Sequence, residues 1–313
     1  MTGDLFSVSV DLDGLGCYAA IHGQDPRALD ERALRAVPEV ALGRLCELFE
    51  SLGVASTLFA IGSELSIPGA SEAIARAAKA GHEIGSHSFA HDYALSRKSQ
   101  EEIEQDLREA EGAITRACGQ SPRGFRAPGY TLSKALLGAV RARGYLYDSS
   151  LLPSPPYYAL KAMMMGLYAL NRRPSRSILG APGQLFARRG AHEREGVREL
   201  PVSTLPLVRG PVIGTVVLGV EPGTALRLSR WAFAAARGSS VGQSGSKIKH
   251  FNLELHGIDA LDKSDVPRSI AEVQPGVAVP AGEKLKRLKG LLVGLQERAQ
   301  AVTLESAARA LLG

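Results

Sequence analysis

Aromatic residues are scarce in this chain. Phenylalanine, tyrosine and tryptophan make up 5% of it, with a single tryptophan, Trp231. That scarcity argues against an open groove paved with rings for a long sugar polymer. Cysteine is scarcer still. Cys17, Cys46 and Cys118 are an odd number with no C-x-x-C pair, which excludes a simple disulfide frame and points to reduced thiols in a cytosolic setting. No run of about twenty apolar residues occurs, so no membrane-spanning helix is expected. The opening MTGDLFSVSVDLDG has neither a basic leader nor a long apolar stretch, and no signal peptide is expected there. A net charge of +5 is too mild to indicate nucleic acid as a partner. Without an internal repeat or a break in composition, 1–313 is expected to form one domain.

What is present is an alternation of two periods. Apolar runs of strand type fall at 5–10, 54–61, 83–86, 124–126, 145–147, 199–204, 214–219 and 251–255. Between them lie helical patterns at 40–52, 71–80, 96–118, 133–143, 226–237 and 282–300, the third opened by a capping box of Ser99 and Glu102. Such alternation predicts a parallel sheet with crossover helices, closed or nearly closed. Trp231 is assigned to its core, and helices within 282–313 to its outer layer.

Polar residues gather at the predicted strand ends. His87 and His91 have H-x-x-x-H spacing, which on a helix puts two imidazoles on one face to hold a single metal ion. They follow the strand Glu83-Ile84-Gly85-Ser86, at the end where barrel enzymes keep their chemistry. Asp11 and Asp13, two apart after the first strand, point to one side. If the ends converge, Asp11, Asp13, His87, His91, Arg126, Asp148 and His256 face one cavity. Asp13, His87 and His91 then offer three metal ligands and leave positions open for water, the catalytic pattern. Asp11 can take a proton from water, and His256 can protonate a leaving nitrogen. Arg126 is suited to orient Asp11 and keep it ionised. Asp148 is expected to hold a histidine tautomer or to support another group behind the site. The turn Pro128-Gly129-Tyr130 is expected to contact substrate, its N–H groups facing a developing oxyanion. Of the other histidines, His82 is expected in a buried strand, His192 in an exposed loop and His250 at the start of the last strand. His22 lies near the first motif's loop, within reach of a substrate, and Cys17 beside it is expected to be inert.

Residues 151–190 differ from the rest. They contain no acid, but carry Lys161, Arg172, Arg173, Arg176, Arg188 and Arg189 among Tyr157, Tyr158, Met163, Met164, Met165 and Tyr168. This insertion suits an anionic membrane surface, the mouth of a site for a greasy or phosphate-bearing substrate, or a lid that merely packs on the barrel. The 238–246 stretch, GSSVGQSGS, lacks the phosphate-loop arrangement and reads as a linker.

Five stretches in order, VDLDG, SHSFAH, FRAPGY, YDSS and LELH, resemble the motifs of the NodB-homology polysaccharide deacetylases, carbohydrate esterase family 4. The resemblance implies a distorted (β/α)7 TIM-like barrel and a divalent metal, usually zinc. It implies Asp13, His87 and His91 as the metal ligands, Asp11 as the base, Arg126 as its partner and His256 as the acid. The chain departs from the common pattern twice. Its Asp-x-Asp is similar to the branch that holds cytosolic deacetylases, a lipid-linked aminoarabinose deformylase and allantoinase-like members, and the fourth motif lacks the usual tryptophan. The expectation is a metal-dependent hydrolase that removes acetyl or formyl from an amino sugar, small or nucleotide- or lipid-linked. The insertion would touch the inner membrane face. Alternatives are an amide hydrolase on a non-sugar compound and a non-catalytic carbohydrate-binding barrel.

Overall fold

A computed structural model describes residues 3–170, 175, 177–236, 240–241 and 247–313. Arg172, Arg173, Arg176 and most of the 238–246 stretch lie outside them. Eleven short strands are described: β1 Leu5–Asp11, β2 Thr57–Ala60, β3 Glu83–Ser86, β4 Gly124–Phe125, β5 Tyr147–Asp148, β6 His192–Arg194, β7 Val197–Glu199, β8 Ser240–Val241, β9 Lys247–Ile248, β10 His250–His256 and β11 Gln300–Ala301. Their main sheet runs β10-β1-β2-β3-β4-β5-β7-β6, parallel throughout except for β6 on β7, with β11 joined to β1. The sheet curls into a half-barrel. The segment after β7 crosses its open side: Leu200 N–H donates to Asp148 C=O, and Ser203 N–H to Asn252 C=O on β10. This is the curled α/β architecture that the alternation predicts.

The two central strands explain why a site forms inside. On β1, Phe6, Val8 and Val10 point outward and pack, fully buried, with Leu45 and Phe49 of the helix Leu42–Ser51. Ser7, Ser9 and Asp11 alternate with them and point inward. On β10, Phe251, Leu253 and Leu255 join the same outer core, leaving His250, Asn252, Glu254 and His256 inside. Register pairs Ser7 with Asn252, Ser9 with Glu254 and Asp11 with His256. The barrel interior is therefore a column of buried polar groups that must satisfy one another. Its lower end is covered by the helix Leu304–Leu312, whose first N–H groups donate to Thr57 Oγ1 and Glu83 Oε2.

Several local expectations are corrected. The helix expected at 40–52 is the end of a longer helical run, 31–51, which widens to π geometry over Ala36–Ala41. Pro38 lies in that stretch and has no N–H to give the ladder. Residues 214–219, β-branched in pattern, begin a short helix, Gly214–Val217. Here Gly214 lies against Asp259, whose Oδ2 would be 2.0 Å from any Cβ, so tertiary packing overrides local propensity. Trp231 is 44% exposed rather than core. His192 is buried in β6, with Nδ1 2.9 Å from Gly190 O.

Candidate active site

The carboxyl ends of β1, β3, β4 and β10 deliver the site. Asp13 Oδ1 lies 3.3 Å from His87 Nε2 and 3.2 Å from His91 Nε2, and all three side chains are buried. The two histidines meet without a helix. Residues 87–94 form a loop in which Ser88 (φ 66°) and His91 (φ 49°) take left-handed backbone, and His91 N–H donates to Ser88 Oγ. The helical face expected from H-x-x-x-H is thus replaced by a tight loop that achieves the same convergence.

His87 Nδ1 lies 2.7 Å from Arg126 O, a contact that makes Nδ1 the protonated nitrogen and turns the Nε2 lone pair toward Asp13. A lone pair facing a carboxylate oxygen at 3.3 Å is stable only with a proton or a metal cation between them. Asp13 Oδ1 and His91 Nε2 are moreover buried without a hydrogen-bond partner. Two imidazole nitrogens and one carboxylate oxygen fit a divalent metal of borderline character. Burial would raise the Asp13 carboxyl, but His91 and His87 hold it well below the usual range. Burial would lower His87, but Asp11 and Asp13 push it above its ordinary value.

Asp11 is held from behind. Arg126, fully buried, donates Nη1 to Asp11 Oδ1 at 2.6 Å, Nη2 to Ser9 and Ser149 hydroxyls, and Nε to Ser149 C=O. Its guanidinium also stacks on Phe59, 4.3 Å from the ring centroid. Asp11 Oδ2 remains on the cavity side, 3.8 Å from His87 Nε2. Across the cavity, His256 Nε2 is 4.0 Å from Asp13 Oδ2, and its Nδ1 is 2.8 Å from Glu254 Oε1. Burial would lower His256, but Glu254 and then Asp13 and Asp11 raise it well above its usual value.

Asp148 is not in this group. It pairs in register with Phe125, whose ring packs outward against Leu136 and Val140, so Asp148 also faces away from the barrel interior. Its Oδ1 accepts from Ser150 Oγ at 2.5 Å, and Glu199 on β7 stands beside it in register; burial and Asp148 push Glu199 well above the carboxylate range. The place beside a site histidine expected of Asp148 is taken by Glu254, which lies two residues before His256 on the same strand face and forms an ion pair with its Nδ1, although neither Glu254 oxygen is in hydrogen-bond geometry. The turn also differs from expectation. Tyr130 N–H is taken by Ala127 C=O, so it does not face an oxyanion. Tyr130 Oη, buried and unpartnered, lies in a residue that lines the cavity with Gly129, whereas Pro128 packs behind. Gly129 (φ 61°) is required there, since a Cβ would lie 2.5 Å from the Tyr93 ring.

Four further groups escaped the sequence. Ser9, Ser149 and Asn252 complete the Arg126 network, Asn252 Nδ2 donating to Ser149 Oγ and Ser9 Oγ to Asn252 Oδ1. Glu64 accepts from Gly14 N–H beneath the Asp13 loop, and burial with the nearby Asp13 pushes it up to about 8. Burial and Glu64 also push the Cys17 thiol well above its usual value, as befits an inert cysteine. The cavity in front of these groups measures about 300 Å³. The helix Pro155–Leu170 of the insertion roofs it through Leu160, Lys161, Met164 and Met165. His22 lines it too, with Nδ1 2.6 Å from Tyr168 Oη.

Residues 37–147 match the family model described as polysaccharide deacetylase. The chain is 28% identical over 156 residues to a peptidoglycan deacetylase of Helicobacter pylori, a match covering 49% of this chain and 52% of that protein. It is 30% identical over 151 residues to a peptidoglycan deacetylase-like protein of Gibberella zeae, covering 46% and 43%. The chain thus matches about half the length of these curated relatives. A solved structure of a candidate polysaccharide deacetylase from Mycobacterium smegmatis shares the fold, with a TM-score of 0.61 at 19% identity over 99% of this chain and 90% of that one. Over residues 37–147 the chain is similar to the polysaccharide deacetylase family, and its curled barrel is the fold of the Mycobacterium smegmatis structure.

Proposed function

We propose that this chain hydrolyses the amide of an N-acyl amino sugar, releasing acetate or formate and a free amine. The observation that carries the proposal is the convergence of three groups around one point: the Asp13–His87–His91 triad, the Arg126-held Asp11 and the Glu254-backed His256. Asp13, His87 and His91 are the residues that would hold the metal, which when bound polarises the acyl oxygen and makes water more acidic. Asp11 Oδ2 faces the cavity and accepts the proton of the attacking water as its oxygen bonds to the acyl carbon. Arg126 fixes that carboxylate so that no reorganisation is needed. His256, charged through its contact with Glu254, gives its proton to the amine nitrogen as the C–N bond breaks. A purely binding barrel needs neither a base nor an acid placed this way.

The walls favour a compact, partly greasy substrate over a long polymer, since the cavity is roofed by Leu160, Met164 and Met165. The outer face of the same helix exposes Met163, Leu167 and Leu170 in a segment without acids. Seating this face on an anionic membrane surface is part of the proposal. Co-sedimentation with vesicles containing phosphatidylglycerol at low salt tests it, and absence of binding removes it.

The reaction itself is tested by release of acetate and formate from N-acetyl and N-formyl amino sugars, glycan fragments and cyclic ureides, using metal-loaded protein. Turnover of amino-sugar amides is expected; turnover of ureides alone, or of nothing, contradicts the proposal. Glu254→Gln is expected to cut kcat on the order of 10²-fold, because the imidazole loses the anion that keeps it charged. Unchanged turnover in that variant would remove Glu254 from the account.

A further inference from the structure

One primary amine stands in a cavity otherwise walled largely by apolar and aromatic groups. Lys161 projects from the roof helix, its Nζ 3.3 Å from the Gly129 carbonyl oxygen and 5.9 Å from the centroid of the Tyr93 ring. Neither neighbour carries a charge. Among the described residues no carboxylate comes within ion-pair distance of Lys161, while Asp11 and Asp13 in the same cavity are engaged by Arg126 and the imidazoles. A lysine on a surface helix ordinarily extends its tip into water. This one is turned inward, and burial lowers it to about 8, which leaves it largely charged at neutral pH. A partly desolvated ammonium without a counterion is costly to keep, and a ligand anion would relieve that cost.

We infer that Lys161 forms an anion subsite that selects a phosphate-bearing amino sugar, the phosphate lying across the cavity from the acyl group. The inference deepens the N-deacylase proposal and rests on it. Its geometry is that of one intervening ring: the Tyr93 centroid is 5.1 Å from that of His91 and 5.9 Å from Lys161 Nζ. A sugar lying over Tyr93 would therefore present its acyl amide to the ligand triad and an anomeric phosphate to the ammonium. Ser175 and Ser177 line the same cavity. An ammonium is a point charge that accepts a phosphate monoester or a diester alike. A soluble sugar phosphate and a lipid-linked one thus share the recognised group.

Three probes separate the possibilities: an N-acetyl amino sugar, its 1-phosphate, and the same phosphate esterified to a prenyl chain. Rates are measured with the metal-loaded full chain, and binding of the deacylated sugar 1-phosphate is measured by calorimetry. The wild type is expected to favour a phosphorylated probe over the neutral sugar by about 10- to 100-fold in kcat/KM, the size of a hydrogen bond to a charged group. Lys161→Met is expected to erase most of that preference, mainly through KM, and to abolish sugar-phosphate binding. Lys161→Arg is expected to keep most of both. Preference for the prenyl ester over the free phosphate supports the subsite with a lipid headgroup as its source; equal preference supports it with a soluble source. A wild type without phosphate preference overturns the inference, even where Lys161→Met fails to fold. So does a Lys161→Met that weakens all three probes in equal proportion. Lys161-dependent binding of the sugar phosphate without hydrolysis of any probe would keep the subsite and defeat the deacylase proposal. Hydrolysis indifferent to phosphate would do the reverse.

Discussion

Asp11→Asn is expected to lower kcat by about 10²- to 10⁴-fold while leaving bound metal at its wild-type stoichiometry. The two oxygens of Asp11 do different things. Oδ1 accepts from Arg126 Nη1 at 2.6 Å, and an asparagine can present its amide oxygen to the same donor. Oδ2 faces the cavity, and there the asparagine offers an NH₂, which cannot take a proton. The metal ligands Asp13, His87 and His91 are untouched, so metal retention separates loss of the base from loss of the centre. Steady-state kinetics with metal analysis on the same preparation decide the matter. A rate within a few-fold of wild type would show that Asp11 is not the base.

Arg126→Met is expected to destabilise the fold by about 3–5 kcal/mol, the usual effect of removing one partner from a buried ion pair. The guanidinium is wholly buried, and its donors serve Asp11, Ser9 and Ser149 while its face covers Phe59. Without it Asp11 is a buried carboxylate left with only the His87 imidazole, 3.8 Å away, to offset its charge. Adding Asp11→Leu to Arg126→Met removes the stranded charge, so the double variant is expected to regain a substantial part of the lost stability and none of the activity. Denaturant unfolding of the four species gives the coupling directly. Additive losses would mean that the pair is not coupled and that Arg126 acts only through its serines.

Much of this was legible in the sequence because alternation and motif order carry it. The β-α rhythm gives the curled sheet, and residues at strand ends give Asp11, Asp13, His87 and His256 in one cavity, with His91 and Arg126 packed against them. The failures have physical causes. Asp148 carries the chemistry of a site residue, but strand register decides which face it occupies, and β5 turns it outward with Phe125. Glu254 was hidden in plain view in LELH: period two puts it beneath His256, a relation that becomes visible only once the strand's inward face is known. The Tyr130 N–H was lost to a local turn hydrogen bond that residue types alone do not reveal. Gly214–Val217 looks like a strand until Asp259 is found packed against Gly214. Lys161 was one cation among several in an acid-free segment; its inward aim depends on where the helix Pro155–Leu170 lies over the cavity.

The central claim is that Asp13, His87 and His91 gather one divalent cation on which amide hydrolysis depends. Titration of zinc into chelator-treated protein, followed by calorimetry and by acyl release on the same samples, tests it most directly. The account predicts one equivalent bound by the wild type, with turnover rising in step with occupancy, and neither binding at this site nor turnover in His87→Ala. Turnover that survives complete chelation, or a His87→Ala variant that binds zinc and hydrolyses substrate as the wild type does, would contradict it.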